Sequence, residues 1–70
     1  MKIIINGEIK VITLRSNNLS LYELIQDLNY NPKLVVVEYN GCIISPQEWE
    51  KHIIEDGDKI EIVTIVGGGS

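Results

Sequence analysis

Ser20-Leu21-Tyr22-Glu23-Leu24-Ile25-Gln26-Asp27-Leu28-Asn29, closed by Tyr30-Asn31-Pro32, is the stretch whose reading decides the fold. Leu21, Leu24, Ile25 and Leu28 fall at i, i+3, i+4 and i+7, which puts four apolar side chains on one side of a helix. Ser20 with Glu23 three residues later is a capping box, in which each side chain satisfies a backbone N–H that the first helical turn leaves free. The spacing therefore predicts a helix over residues 21–29. Asn31-Pro32 stops it, because proline disfavours the helical conformation in the residue before it. A single helix with one apolar face needs a sheet to cover.

The flanking sequence supplies that sheet. Thirteen Ile and six Val make β-branched residues the majority of the apolar set, and branched side chains favour strands. Towards the N-terminus, Lys2 to Ile5 and Ile9 to Leu14 read as two strands of a hairpin. Asn6-Gly7 forms the turn, and Glu8 is expected to lengthen the loop beyond two residues. Ser16-Asn17-Asn18 is a polar break.

Towards the C-terminus, Leu34 to Glu38 or Tyr39 is a nearly continuous apolar run of the kind found in interior strands. Asn40-Gly41 is a second turn pair, leading into the short extended piece Cys42-Ile43-Ile44. Ser45-Pro46-Gln47-Glu48 combines a cap, a proline at the first helical position and Glu at N3. Trp49 is thus expected on a short second helix, closing one end of the core. Glu55-Asp56-Gly57-Asp58 is a polar turn before a last strand, Lys59 to Val66. Two strands, a helix, then further strands with a short helix before the last give an α+β arrangement. The expected fold is a β-grasp, a mixed sheet with one main covering helix.

Length, charge and cysteine usage narrow the function. Seventy residues make one domain, with no room for a cleft closed between domains. A chain of this size buries only roughly 60% of the surface its unfolded form exposes. Ten acidic against six basic residues leave a net charge of −4. No Lys/Arg cluster supplies the counterion-release term of a nucleic-acid binder. The run Ile3-Ile4-Ile5 is too short for a signal peptide or a membrane span. One cysteine, Cys42, excludes an internal disulfide, and no Cys/His cluster offers a metal site.

The individual reactive residues read blandly. Cys42 lacks an adjacent Lys or Arg to favour its thiolate, and its neighbours suggest a small buried side chain. His52 is isolated from any acid or nucleophile and reads as a surface or boundary residue. Asp56 and Asp58, flanking Gly57, read first as a solvated turn, with recognition by a basic partner surface as the alternative. The expectation is a soluble, cytoplasmic protein of a reducing compartment, monomeric when free.

The last strand and its end carry the functional signal. Ile60, Ile62, Thr64 and Val66 share one parity; Glu61, Val63 and Ile65 share the other. If the first set packs beneath the helix, Val63 and Ile65 emerge on the opposite face as an apolar protein-binding patch. The alternative is that the Trp49 segment or a twist of the sheet covers them. Gly67-Gly68-Gly69-Ser70 loses the most backbone entropy on ordering and buries nothing, which suits a mobile tail. A glycine thread enters a channel that excludes any segment bearing side chains. The same composition also suits a plain linker.

The turn Asp56-Gly57-Asp58, the strand Lys59-Ile60-Glu61-Ile62-Val63 and the close Val66-Gly67-Gly68-Gly69 resemble the C-terminal signature of the ThiS family, the sulfur carriers of thiamine biosynthesis. Asn6-Gly7, Leu24, Val35-Val36-Val37, Glu38, Asn40, Gly41, Ile44 and Trp49 also fit the pattern of that family. The resemblance spans nearly the whole chain. It implies a ubiquitin-like β-grasp domain over residues 1–66 with a flexible tail over residues 67–70, and a carrier in place of an enzyme. In that family a ThiF-type enzyme adenylates the C-terminal glycine, and cysteine-derived sulfur from a delivery enzyme then converts it to a thiocarboxylate. The product serves thiazole synthase, ThiG, in forming the thiazole ring. ATP and Mg²⁺ would be held by the activating partner, with no cofactor on this chain.

Family members end at glycine, whereas Ser70 follows Gly69 here. The resemblance therefore implies Gly68-Gly69 as the carrier dipeptide, with Gly69 reactive once Ser70 is removed. Val63 and Ile65 would form the partner surface. The small subunit of molybdopterin synthase resembles the tail equally well but runs somewhat longer. A noncatalytic ubiquitin-like interaction module is the alternative from another class.

Overall fold

The computed structural model describes residues 1–13 and 19–65. Five strands form one mixed sheet: β1 Lys2–Ile5, β2 Glu8–Val11, β3 Val35–Tyr39, β4 Cys42–Ile44 and β5 Lys59–Thr64, in the spatial order β2-β1-β5-β3-β4. The last strand of the sequence is the central strand of the sheet. It runs parallel to β1, with Ile5 beside Ile60, and antiparallel to β3, with Val37 beside Ile62. Helix α1, Leu21–Asp27, covers one face. This is the expected β-grasp arrangement, with a second, shorter helix of 3-10 type at Pro46–Lys51.

The capping box is formed as the sequence predicts. Ser20 Oγ accepts from Glu23 N at 3.1 Å, and Glu23 Oε1 accepts from Ser20 N at 3.3 Å. The helix stops at Asp27, two residues before the expected Asn29, because Asn29 adopts a left-handed conformation with φ of 63°. Asparagine tolerates that region better than most residues and so reverses the chain ahead of the proline.

Both Asn-Gly pairs close two-residue hairpins. Asn6 and Gly7 have φ of 51° and 80°, Asn40 and Gly41 of 50° and 88°, matching the right-handed twist of the strands they join. Glu8 pairs with Ile5, so it belongs to β2 and does not lengthen the loop as expected. Regular β2 ends at Val11, although Ile12 N still donates to Met1 O at 2.8 Å; Leu14, the expected end, lies outside the described residues.

Each turn asparagine also fastens the central strand. Asn6 Oδ1 accepts from Ile62 N at 2.7 Å, and Asn40 Oδ1 accepts from Lys59 N at 2.8 Å.

Leu34, expected at the start of β3, instead ends a 3-10 turn, Pro32–Leu34, which Asn31 caps through Lys33 N. Ser45 is the N-cap residue of the Trp49 helix but makes no side-chain cap hydrogen bond, so proline at the first position carries that start. Trp49 is 1% exposed, and its Nε1 donates to Ile44 O at 3.0 Å. It joins Ile3, Ile5, Leu21, Leu24, Ile25, Val35, Val37, Ile60 and Ile62 in the core between sheet and helices. Trp49→Ala is expected to destabilise the domain by about 3 to 5 kcal/mol, the usual cost of emptying a large aromatic site. Urea denaturation monitored by circular dichroism measures the loss.

Candidate functional site

The face of the sheet away from α1 is open; Ile9 and Val11 on β2 and Ile43 on β4 are exposed there, and a further apolar group lies where β5 ends. Ile60 and Ile62 are buried under the helix, so alternation turns Val63 outward, and Ile65 is exposed beyond the strand end. Val63 is 61% exposed and Ile65 51%, so neither the Trp49 segment nor sheet twist covers them. Thr64, expected beneath the helix, is exposed at the end of β5.

β3 completes the patch. Val36 sits directly opposite Val63 in the antiparallel pair, and Ile65 N donates to Leu34 O at 2.6 Å. Val36 and Leu34 are 36% and 46% exposed. Sequence reading missed both, because an unbroken Leu34-to-Val37 run hides its own alternation. Only the pairing of β3 with β5 in the structure assigns Val36 to the parity of Val63.

The turn before β5 differs from the solvated loop expected of Asp56 and Asp58. Asp58 is 6% exposed and accepts three hydrogen bonds, from the Tyr39 hydroxyl at 2.5 Å, Asn40 Nδ2 at 3.1 Å and Glu55 N at 2.7 Å. Asp56 is exposed, yet its Oδ1 accepts from Lys2 N at 2.7 Å. Both carboxylates tie the turn to the strands beside it, where polar backbone groups would otherwise lack partners. Asp58 is therefore an anchor that sets where β5 begins.

Cys42, expected to be buried, is exposed on the edge strand β4. The three-residue strand β4 lies at the edge of the sheet, so the helix does not reach over it. His52 is half-buried, packed edge-on against Tyr39 with ring centroids 5.2 Å apart. Among the described residues no group of three His, Cys, Asp or Glu could hold a metal ion, and no helix is long and apolar enough to cross a membrane. Val66, Gly67, Gly68, Gly69 and Ser70 lie outside the described residues.

A mixed sheet whose central strand is the last of the described strands, covered on one face by a main helix, defines the class of small ubiquitin-like β-grasp proteins. Within that class the chain belongs to the ThiS family, which it matches over residues 3–69. The ThiS thiamine biosynthesis protein of Geobacter metallireducens, known from a crystal structure, superposes with a TM-score of 0.83 at 27% identity. That match covers 99% of this chain and 100% of the other.

Sequence relatives agree with this placement. The ycf40 protein of Trieres chinensis is 46% identical over 65 residues, 93% of this chain and 85% of that one. Sulfur carrier protein ThiS of Escherichia coli is 28% identical over 50 residues, 71% of this chain and 76% of that one. A thiazole synthase of Paramagnetospirillum magneticum is 36% identical over 70 residues, all of this chain but 21% of that protein. The chain is a ThiS-family sulfur carrier of thiamine biosynthesis.

Proposed function

We propose that the chain carries sulfur as a thiocarboxylate on its C-terminal glycine, Gly69, after an adenylating enzyme of ThiF type has activated that terminus. The observation that supports this best is the family match running from the first strand through Gly69. The chemistry follows from the carboxylate itself. It is a poor electrophile until its oxygen is joined to AMP, which then leaves when sulfur attacks the acyl carbon. ATP and Mg²⁺ belong to the partner in this reading, and this chain contributes the reacting terminus and a docking surface without being an enzyme. Thiazole synthase is the proposed acceptor, a reading supported by the relative in which a segment like this chain forms part of a thiazole synthase.

Intact-protein mass spectrometry after incubation with ATP, Mg²⁺, a ThiF-type enzyme and a sulfur-delivery system tests the proposal. Exchange of one terminal oxygen for sulfur is expected, and fragmentation should place it on Gly69. No adenylation by an enzyme proven active on another carrier would leave a noncatalytic ubiquitin-like module as the better reading.

Docking is assigned to Val63 and Ile65, which precede the tail. Ile65→Ser is expected to weaken binding to the adenylating enzyme by about 1 to 3 kcal/mol, the range for an apolar interface anchor. Because Ile65 is half exposed in the free chain, its melting temperature should change little. Equal affinity of a folded Ile65→Ser chain removes this residue from the interface.

A further inference from the structure

The open face holds two facing glutamates, and Lys59, on the same face of β5 two residues before Glu61, forms no ion pair with either. Glu38 on β3 and Glu61 on β5 are directly opposite in the antiparallel register, both exposed, and on the same face as the Val36–Val63 pair one step along. Ile43, 72% exposed, faces Glu38 from β4 and extends that row. Like charges set directly opposite across a strand pair destabilise it. Among the described residues neither glutamate has an ion-pair partner, whereas Lys10 pairs with Glu8 and Lys51 with Glu48. An arrangement that costs the free fold and lies within an apolar patch is the pattern of a surface kept for recognition.

Resting on the carrier reading above, we propose that this face docks a protein surface presenting an arginine or lysine within an apolar rim, and that this surface belongs to the adenylating enzyme. The cation would sit between Glu38 and Glu61, relieving their repulsion, while Val36, Val63 and Ile65 take the apolar rim. Charge complementarity selects this occupant over a second copy of the chain, whose equivalent face would bring four carboxylates together. Continuity selects it as well. Ile65 leads within a few residues to Gly69, so a surface seated here holds the terminus it modifies. A desolvated cation between two carboxylates would make the contact sensitive to ionic strength and discriminate against acidic surfaces.

The test compares the wild-type chain, Glu38→Gln/Glu61→Gln, and the control Glu48→Gln/Glu50→Gln, which changes net charge equally on the Trp49 helix. Calorimetric binding to a ThiF-type enzyme at low and high salt, melting temperature, and the adenylation KM and kcat are measured. The Glu38/Glu61 variant is expected to melt a few degrees higher, because repulsion is removed. It should bind about tenfold more weakly at low salt, with a raised KM and an unchanged kcat, and the deficit should shrink at high salt. The control should bind as wild type does. Equal binding by the Glu38/Glu61 variant, or a loss no greater than that of the control, overturns this surface while wild-type thiocarboxylation leaves the carrier reading standing. A wild-type chain that is neither bound nor adenylated overturns both.

Discussion

A form of the chain ending at Gly69 is expected to be adenylated and thiocarboxylated, and the form retaining Ser70 to react slower by about two orders of magnitude or more. The reason is positional. Adenylation joins the α-phosphate of ATP to a carboxylate, and with Ser70 in place Gly69 holds a peptide carbonyl where the reacting group should be. The carboxylate of Ser70 is one residue farther along and carries a hydroxymethyl group into a channel suited to glycine. A displacement of even about 1 Å at a reacting centre costs about a hundredfold in rate. Four residues beyond Val66 span at most about 13 Å when extended, so one residue is a large share of the available reach.

The comparison uses chains ending at Ser70, Gly69 and Gly68, with intact mass spectrometry and the rate of AMP-dependent modification as readouts. Gly69 is expected to lead, with Gly68 impaired by its shorter reach and Ser70 by its blocked position. Rapid thiocarboxylation of a Ser70 chain that remains untrimmed contradicts the assignment to Gly69. All three chains should melt alike, because the truncations remove none of the described core residues.

Asp58→Ala is expected to cost about 3 kcal/mol or more, because the hydroxyl of Tyr39, the amide of Asn40 and the backbone N–H of Glu55 lose their acceptor together. For a domain of this size that corresponds to a fall in melting temperature of about 12 °C or more. Asp58→Asn keeps one acceptor oxygen and should fall between the two. The damage should reach β1 as well, since Ile4 N donates to Asp58 O at 2.9 Å where β5 enters the sheet. Thermal melts of the three chains measure this, and a loss below 1 kcal/mol for Asp58→Ala would show the turn to be solvated after all.

The same cluster carries a pH signature. Desolvation pushes the Tyr39 hydroxyl above the ordinary tyrosine range, helped by its hydrogen bond to Asp58 and the negative charge of Asp58 and Glu55. The folded value is therefore raised above the unfolded one. The stabilisation is whole below about pH 10 and is lost as the pH rises from there through the folded value. Tyr39→Phe should abolish this alkaline decline while costing less at neutral pH than Asp58→Ala.

Local signals marked most of the elements. The Leu21-Leu24-Ile25-Leu28 stripe, the Ser20–Glu23 box and the two Asn-Gly turns each depend on residues within seven positions of one another, and all appear in the structure. The outward orientation of Val63 was legible for the same reason, because β alternation is a property of one strand once its buried set is known. The family resemblance was legible as well, and the match over residues 3–69 shows it.

What depended on contacts distant in sequence was read less well. Asp58 looks like any turn aspartate until Tyr39 and Asn40, 19 and 18 residues away, meet it across the β3–β5 junction. Cys42 looks like a small core residue until the order β2-β1-β5-β3-β4 leaves β4 at the edge, beyond the cover of the helix. Val36 and Glu38 acquire meaning only through register, which sets them against Val63 and Glu61. The sequence by itself determined which segments become helix, strand and turn, because those choices turn on neighbouring side chains and backbone conformation. Only the tertiary structure decided which strand is central, which carboxylate is buried and which residues share the open face. Those outcomes depend on pairings between segments far apart in the chain, and local periodicity is blind to them.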